Sequence, residues 1–449
     1  MAARGLDAQR MGLELTGQNI SNVNTPGYAR RVVDFASVPG QDSRSAGGGV
    51  TVMGIRAIRD SFLERRVQQE VPTEGRAAAL AELLQVVQTG IGASGASLDA
   101  RLSEVFGSFS RLADAPASAV ARADVLNATD ELAQSFHDIS SRLVDSQRSA
   151  EGRVRSTVEE INALGEQLAA LNRSLSSAGP DGKLSVQDQQ AVIIRNLSTL
   201  VDVDVLTNPG GGLDVTIGNG RALVIAGESY AVEAVAGPPN GLSAIESGGR
   251  VITDEISGGR LAGAIEARDV NIPDYMSRLD TIAFEVVRQV NALHRTGFDQ
   301  QGNTNQDFFT PLGAVAGAAR LFAVDPGVAA DGGQIAAAGV NAVGDNAVAK
   351  SLASLRDALV LDGNSATLIE GWSSLAYRVG RDTRSAVDGQ KAQADIVKQI
   401  DALRDSVSGV SLDEEAVQMI KFQRAFEANA RYFSAVDDTL NILFQIVGR

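Results

Sequence analysis

Cysteine is absent from the 449 residues, which excludes disulfides, thiolate metal sites and cysteine nucleophiles together. Aromatic residues make up only 4%, with one tryptophan, a composition that fits thin helical layers and small β units better than one thick, ligand-enclosing core. Histidine occurs twice, at His137 and His294, too far apart in sequence to support a zinc site or a Ser-His-Asp triad. No catalytic, cofactor-binding or metal-ligating residues are therefore expected. No apolar run approaches the roughly 20 residues that a membrane-spanning helix needs. The first residues also lack the apolar core, roughly 7 to 15 residues long, of a secretory signal, so export would need another route. A formal charge of -15 argues against a nucleic-acid surface and against an anionic membrane as partner. What remains is a chain of ordinary hydrophobic content, 44%, long enough for two to four domains.

Its two ends carry the clearest pattern. Leu6, Leu13 and Ile20 recur every seven residues, with Met11 and Leu15 widening the face. The helix they predict is stopped by Asn22-Val23-Asn24-Thr25-Pro26-Gly27-Tyr28: Pro26 pushes Thr25 out of the helical region, and Pro26-Gly27 suits the centre of a type II turn. At the other end Leu412, Met419, Phe426, Phe433, Leu440 and Val447 form a strict heptad, with Phe422, Val436 and Leu443 on the intervening register. The two stripes predict that the terminal helices pair as a coiled coil. Each stripe exceeds what one short helix can cover, so these residues, with Asn22, Asn24, Pro26, Gly27 and Tyr28, are the candidate assembly interface. Alone in water such ends are expected to stay largely disordered until neighbours cover them.

Between the ends the period changes several times. Residues 28 to 58 read as short strands and linker, with Gly47-Gly48-Gly49 as a hinge. Helical segments are expected from about Arg76, around Leu80 to Val87 and Leu98 to Leu112. A long helix follows from Ala119 to Ser176, built on Val125, Leu132, Ile139 and then Val154, Ile161, Leu168, Leu175, and spanning roughly 85 Å at 1.5 Å per residue. Gly179-Pro180-Asp181-Gly182 closes it, and a short helix is expected at Gln189 to Leu197. Val201, Val203 and Val205, then Leu213, Val215 and Ile217, alternate with polar residues as half-buried strands do. Turns at Asn208-Pro209-Gly210-Gly211, Gly218-Asn219-Gly220 and Gly237-Pro238-Pro239-Asn240-Gly241 support several antiparallel strands. Helical stepping returns from Ile272 to Leu293, with Pro273 tolerated at the helix start. Residues 297 to 344 are Gly- and Ala-rich with a strand-like Leu321-Phe322-Ala323-Val324. Two more helices follow near Asn346 to Val360 and Ser365 to Val407.

The expected fold is mainly α with a small β insertion, elongated and multi-domain: a terminal helix at 1–34, linker and first half of a long-helix bundle at 35–199, an antiparallel β domain at 200–258, the second half of the bundle at 259–409, and the C-terminal helix at 410–449. Packing the long one-faced helices side by side sends the chain out and back, so the termini meet at one end. Other motifs read plainly. Asp299-Gln300-Gln301-Gly302-Asn303-Thr304-Asn305 lacks the sixth-position Gly and twelfth-position Glu of a Ca²⁺ loop, Thr310 standing at the latter, and reads as a turn. Glycines at 47 to 49 and 210 to 212 spell no phosphate loop. Asp413-Glu414-Glu415 favours a helix N-terminus.

The run Gly17-Gln18-Asn19-Ile20-Ser21-Asn22-Val23-Asn24-Thr25-Pro26-Gly27-Tyr28-Ala29-Arg30 resembles the N-terminal signature of the bacterial flagellar axial proteins, the rod, hook and hook-associated subunits. The run from Ser408 to Ala416, with Phe422-Gln423-Arg424-Ala425-Phe426-Glu427-Ala428-Asn429-Ala430-Arg431, resembles the partner signature at the other end. Within that superfamily the chain is most similar to the hook-associated family that stands first between hook and filament, because hook and rod proteins are mostly β between their ends. Gly297-Phe298-Asp299, Asp307-Phe308-Phe309 and Gly344-Asp345-Asn346 are similar to the same family. The likeness is residue by residue over roughly the first 60 and last 40 positions and architectural between them.

This resemblance implies a structural, non-enzymatic subunit without cofactors, forming a ring that buffers the mechanical mismatch between hook and filament. Its implied partners are the hook protein, the second hook-filament junction protein, other copies of itself, and a cytoplasmic export chaperone holding Leu412 through Val447. It implies a place on the extracellular bacterial flagellum, reached through the flagellar type III apparatus without a cleaved signal peptide. The export signal is expected near the N-terminus, where members carry several residues ahead of the segment matching Arg4-Gly5-Leu6. Another axial subunit, a hook or distal rod protein, is the alternative, and the helical middle disfavours it. A surface adhesin or hydrolase on a flagellar frame would need a catalytic cluster or a large extra domain.

Overall fold

The computed structural model describes residues 2–39, 48–92, 97–237, 241–342 and 344–447. Parts of the 47–49 hinge and of the 237–241 turn lie outside the described residues, as does the side chain of Val447. The chain opens with α1 (Ala2–Ser21), a hairpin of β1 (Arg31–Val38) and β2 (Gly49–Ala57), and α2 (Ser61–Gly92). Next come α3 (Leu98–Asp114), the 57-residue α4 (Ala119–Leu175) and α5 (Pro180–Leu200). Strands β3 (Val203–Thr207), β4 (Leu213–Ile217), β5 (Arg221–Ile225) and β6 (Glu228–Ser229) form one antiparallel sheet in sequence order. A second sheet holds β7 (Val232–Ala236), β8 (Ser243–Ser247) and β9 (Arg250–Val251). The return leg is α6 (Gly259–Glu266), a π turn at Ala267–Asn271, α7 (Ile272–His294), short α8 (Ala318–Leu321) and α9 (Pro326–Ala330), α10 (Ala347–Ser354), α11 (Leu368–Ser408) and α12 (Leu412–Val447).

The expected long helix is one piece because its apolar stripe never lapses. Val125, Leu132, Phe136, Ile139 and Leu143 are buried in one core with α3, α7, α10 and the first half of α11. Val154, Val158, Ile161 and Leu168 are buried in a second core with α5, α6 and both β sheets. Ser146 and Ala150 carry the buried face across the polar phase shift between them. α11 starts on a complete capping box, Thr367 with Glu370, and returns beside α2, where Ile400 packs on Val67 and Val71. The helical bundle, the antiparallel strands and the meeting of the two ends are thus as the sequence predicts.

Four expectations need adjusting. α2 begins at Ser61 rather than near Arg76 and runs through Pro72, which is buried inside it. α5 begins at Pro180, so the proline that closes the long helix also opens the next, in the first-turn position where its missing N–H is harmless. Helix also precedes Ile272: α6 continues through the π turn, whose closing N–H runs from Ile272 to the Ala267 carbonyl, just before Pro273. Residues 297–344 are held by isolated bridges, Phe298 to Ala338 and Phe309 to Val324, and Leu321 ends a helical turn instead of entering a strand.

Buried ionic groups fasten this plan. Arg268, in the π turn, donates to Glu151 of α4 (2.6 Å), to the Ser243 carbonyl (2.9 Å) and to Asp269. Glu151 also accepts from the Ser243 hydroxyl (2.6 Å) and from Arg155 (2.6 Å), so one carboxylate ties α4 to β8 and to the return leg. Burial pushes the Glu151 carboxyl up, but hydrogen bonds from Ser243, Arg155 and Arg268 outweigh it and hold the group at about 2, against an ordinary 4.5. A carboxyl held low adds stability that is complete above pH 4.5 and fades as pH falls toward 2. Glu151→Gln is expected to cost about 2 to 3 kcal/mol at neutral pH, and the gap to wild type should close between those two values. Denaturant titrations at pH 7, 4.5 and 3 read this directly; a pH-independent gap would refute it.

Candidate functional site at the chain-end junction

α1 and α12 run antiparallel, and the seam between them is made of small residues on α1. A Cβ at Gly12 would lie 2.7 Å from the Phe422 ring, and one at Gly5 would lie 3.0 Å from Asn429 Oδ1. One heptad further, Asn19 Nδ2 donates to Glu415 Oε2 at 3.0 Å. The rows Gly5-Gly12-Asn19 and Glu415-Phe422-Asn429 therefore face each other, and Ala8, Leu15 and Thr16 are buried beside them. Leu6, Leu13 and Ile20 stand on the flank of this seam, half-buried. Met419, Phe422 and Phe426 are half-buried, and Phe35 of β1 brings its ring to 6.3 Å from that of Phe422. Leu412, Phe433, Val436, Leu440 and Leu443 are exposed.

The turn after α1 forms as expected. Gly27 has φ +76°, the Tyr28 N–H reaches the Thr25 carbonyl at 3.2 Å, and a side chain at Gly27 would strike Val192 of α5 at 2.5 Å, so only glycine fits. Asn22 donates to the Gln18 carbonyl and accepts from the Thr25 hydroxyl, while Asn24 and Pro26 are exposed. Beside this turn lies an open groove of about 1030 Å³, walled by Asn22–Ala29, α2, α5 and Ser408–Val410. No histidine lines it.

At the centre of the junction sits a polar node. Asn19 Oδ1 accepts from the Arg31 N–H (3.0 Å) and the Tyr28 hydroxyl (2.8 Å), and Asn19 Nδ2 donates to the Arg31 carbonyl (2.9 Å) as well as to Glu415. Every hydrogen-bonding capacity of this amide is used, which assigns its orientation. Burial raises the Tyr28 phenol above its ordinary value, so it remains the donor. Arg30 Nε binds Glu415 Oε1 at 2.7 Å, Arg30 Nη1 binds Glu414 at 2.8 Å, and the Arg30 N–H reaches the Ser408 carbonyl at 2.9 Å. Arg31 lies over the Tyr28 ring and, with Arg59, grips Asp188 of α5 at 2.7 and 2.6 Å. The N-terminal turn, the start of α12 and the base of the bundle are thus one connected network.

Sequence reading placed Asn19 and Arg30 in the motif and Glu414-Glu415 at a helix start, but it did not join them. It gave no contact to Arg31, Asp188, Gly5 or Gly12. The signal present was the polar and glycine rows on the same seven-residue step. Elsewhere, His294 is fully buried as a helix-end clamp: Nδ1 donates to the Gln306 carbonyl and Nε2 accepts the Ala336 N–H. Burial lowers its pKa, and both nitrogens are occupied. Asp299 Oδ1 accepts the N–H groups of Gln301 and Asn303, so that loop is a turn. Among the described residues no helix is long and apolar enough to cross a membrane.

The helical rod closed by its own two ends carries a flagellar axial signature: residues 404–446, which hold Glu414 and Glu415 of the node, match the C-terminal model of the flagellar basal body rod FlgEFG proteins. Residues 84–309 match the model of the flagellar hook-associated protein FlgK helical domain, and with half its length in that match the chain belongs to the FlgK family. Flagellar hook-associated protein 1 of Bacillus subtilis is 27% identical, over 100% of this chain and 97% of that protein. The protein of the same name in Escherichia coli is 24% identical, over 99% and 98%. The flagellar hook junction protein FlgK of Burkholderia pseudomallei has the same fold, with TM-score 0.69 and 15% identity, covering 77% of this chain and 100% of that one. The chain is therefore a component of the bacterial flagellum.

Proposed function

We propose that this chain is a structural, non-enzymatic subunit at the junction between hook and filament, and that it polymerises through its paired terminal helices. The observation that carries this is the far end of α12. Phe433, Leu440 and Phe444 are exposed on one side of it, Phe444 at 73%, while Ile442 and Ile446 are exposed on the other. The apolar arc covers more than half of the circumference, leaving one polar strip at Ser434, Asp437, Asp438, Asn441 and Gln445, and a single partner helix covers less than that arc. Several neighbours must therefore surround this segment, as in a ring or tube of identical and related chains.

On this reading the partners are the hook protein, the second hook-filament junction protein and further copies of the chain, with Leu412 through Val447 held before export by a cytoplasmic chaperone. Export through the flagellar type III route, the interface from Leu6 to Tyr28 and from Leu412 to Val447, and the five-part division with its β domain at 200–258 belong to the same proposal. Ordering on assembly is assigned to 433–447, because α1 and the facing part of α12 are already fastened by the buried node. The match of 404–446 to rod proteins favours a rod or hook subunit as the second reading, and the helical domain at 84–309 weighs against it.

Deleting the gene is expected to leave hooks without filaments and flagellin shed into the medium, seen by electron microscopy and by immunoblotting of culture supernatant. Filaments of normal length on the deletion strain would refute the assignment.

A further inference from the structure

We infer that the groove beside the chain-end turn takes an extended segment of a partner polypeptide, which adds to the outer edge of β3 as a fifth strand. The sheet order is β3-β4-β5-β6, so β3 has a strand on one side only. Its register opposes Val205 to Val215, Leu206 to Asp214 and Thr207 to Leu213, and the hairpin closes with the Asn208 N–H on the Gly212 carbonyl at 2.9 Å. That bond fixes the alternation of the ladder. Asp204 and Leu206 turn their main-chain groups toward β4, whereas Val205 and Thr207 turn theirs away from it. Leu213 bears out the phase: facing away from β3, it donates its N–H to the Asn172 amide at 3.0 Å and accepts from it at 2.8 Å. Val205 and Thr207 have no such substitute. Outside the strand ladder no main-chain hydrogen bond among the described residues reaches them, and both line the groove.

The edge thus presents two N–H groups and two carbonyls to the groove, repeating every second residue or about 6.8 Å. Another extended main chain is the group that matches this alternation of donors and acceptors, so the occupant is a polypeptide strand. The walls specify its side chains. Val205 packs against the second core, and on that face the added strand would continue the layer over Ala191 and Ile194 of α5, which calls for aliphatic residues at alternate positions. The ionic groups along the groove pair with one another: Arg195 with Asp401 at 2.7 and 2.6 Å, Arg59 with Asp188 at 2.6 Å, and Arg404 with Asp405 at 3.3 Å. The strand it favours is therefore uncharged. This site is separate from the helical ends and does not depend on assembly through them.

The test titrates the full chain with an acetylated, amidated heptapeptide of alternating threonine and valine and follows site-resolved hydrogen exchange. In the free chain the Val205 and Thr207 amides should exchange fast, and those of Asp204 and Leu206 slowly. Peptide should slow Val205 and Thr207 at least about tenfold. The same peptide with every amide N-methylated keeps its side chains but offers no donor, and should not bind. Thr207→Pro removes one edge N–H without touching the ladder to β4, so it should weaken binding about tenfold at an unchanged melting temperature, while Thr207→Val should bind like the parent. Unchanged exchange at Val205 and Thr207 in millimolar peptide would overturn the inference, and so would equal binding of the N-methylated peptide. A concentration-dependent dimer abolished by Thr207→Pro would overturn it too, by giving the edge to a second copy of the chain.

Discussion

Ile442→Ser with Ile446→Ser is expected to abolish incorporation, and Leu440→Ser with Phe444→Ser is expected to do the same, although the two pairs lie on opposite sides of α12. On a helix stepping 100° per residue, positions 440 and 442 are about 160° apart, and so are 444 and 446. A single partner helix could bury one pair and leave the other indifferent. If several neighbours enclose the segment, each pair loses two buried side chains worth about 1.5 to 3 kcal/mol apiece, at least about a hundredfold in association. Both pairs are exposed in the isolated chain, so thermal unfolding of the helical body should not move. Motility and filament counts give the first readout, and calorimetry gives the second. Normal assembly by either variant would mean that fewer neighbours touch this segment.

The second large effect is expected at the opposite end of the molecule, where Arg122→Met should cost about 3 kcal/mol or more and lower the melting temperature by several degrees. Arg122 is 4% exposed and makes no ion pair among the described residues; its guanidinium instead donates to the Pro116, Gly332, Gly333 and Ile335 carbonyls at 2.6 to 3.4 Å. Burial lowers its pKa, while Asp299 and Asp331 act to raise it. These carbonyls belong to the irregular 297–344 stretch and to the turn before α4, segments with little regular pairing of their own. Methionine fills the volume and leaves every one of those acceptors dry. Arg122→Lys should recover only part of the loss, since one ammonium cannot reproduce the planar fork. Unchanged melting of the methionine variant would show that the stretch holds itself together.

Much of the fold was legible because α helices with one buried face announce themselves. The stripe of α4 is unbroken from Val125 to Leu175, and the alternation around Val203 and Val215 marks strands. The misreadings have specific causes. Pro72 looks like a stop signal, yet it lies buried in α2, whose helix absorbs one missing hydrogen bond because α11 and α6 pack against it. The helical stepping is visible only from Ile272 because α6, Gly259 to Glu266, is short and holds two glycines.

The junction divides in the same way. Leucines at 6 and 13 are visible to any hydrophobic pattern, whereas a seam built on Gly5 and Gly12 is invisible to it, since glycine contributes by taking no space. Asn19 and Glu415 are 396 residues apart in sequence, and nothing in a single sequence pairs an amide with one particular carboxylate at that separation. The motif was recognisable; the bond that explains it was not.

α4 has a consequence of its own. Both cores are built on this one helix, the first on its N-terminal half and the second on its C-terminal half. Tension or twist applied at the base therefore reaches the distal tip along a continuous ladder of main-chain hydrogen bonds, without crossing a loop that could yield. The β sheets sit beside that shaft rather than in line with it, so a change in their shape or size leaves the continuity of the helix untouched.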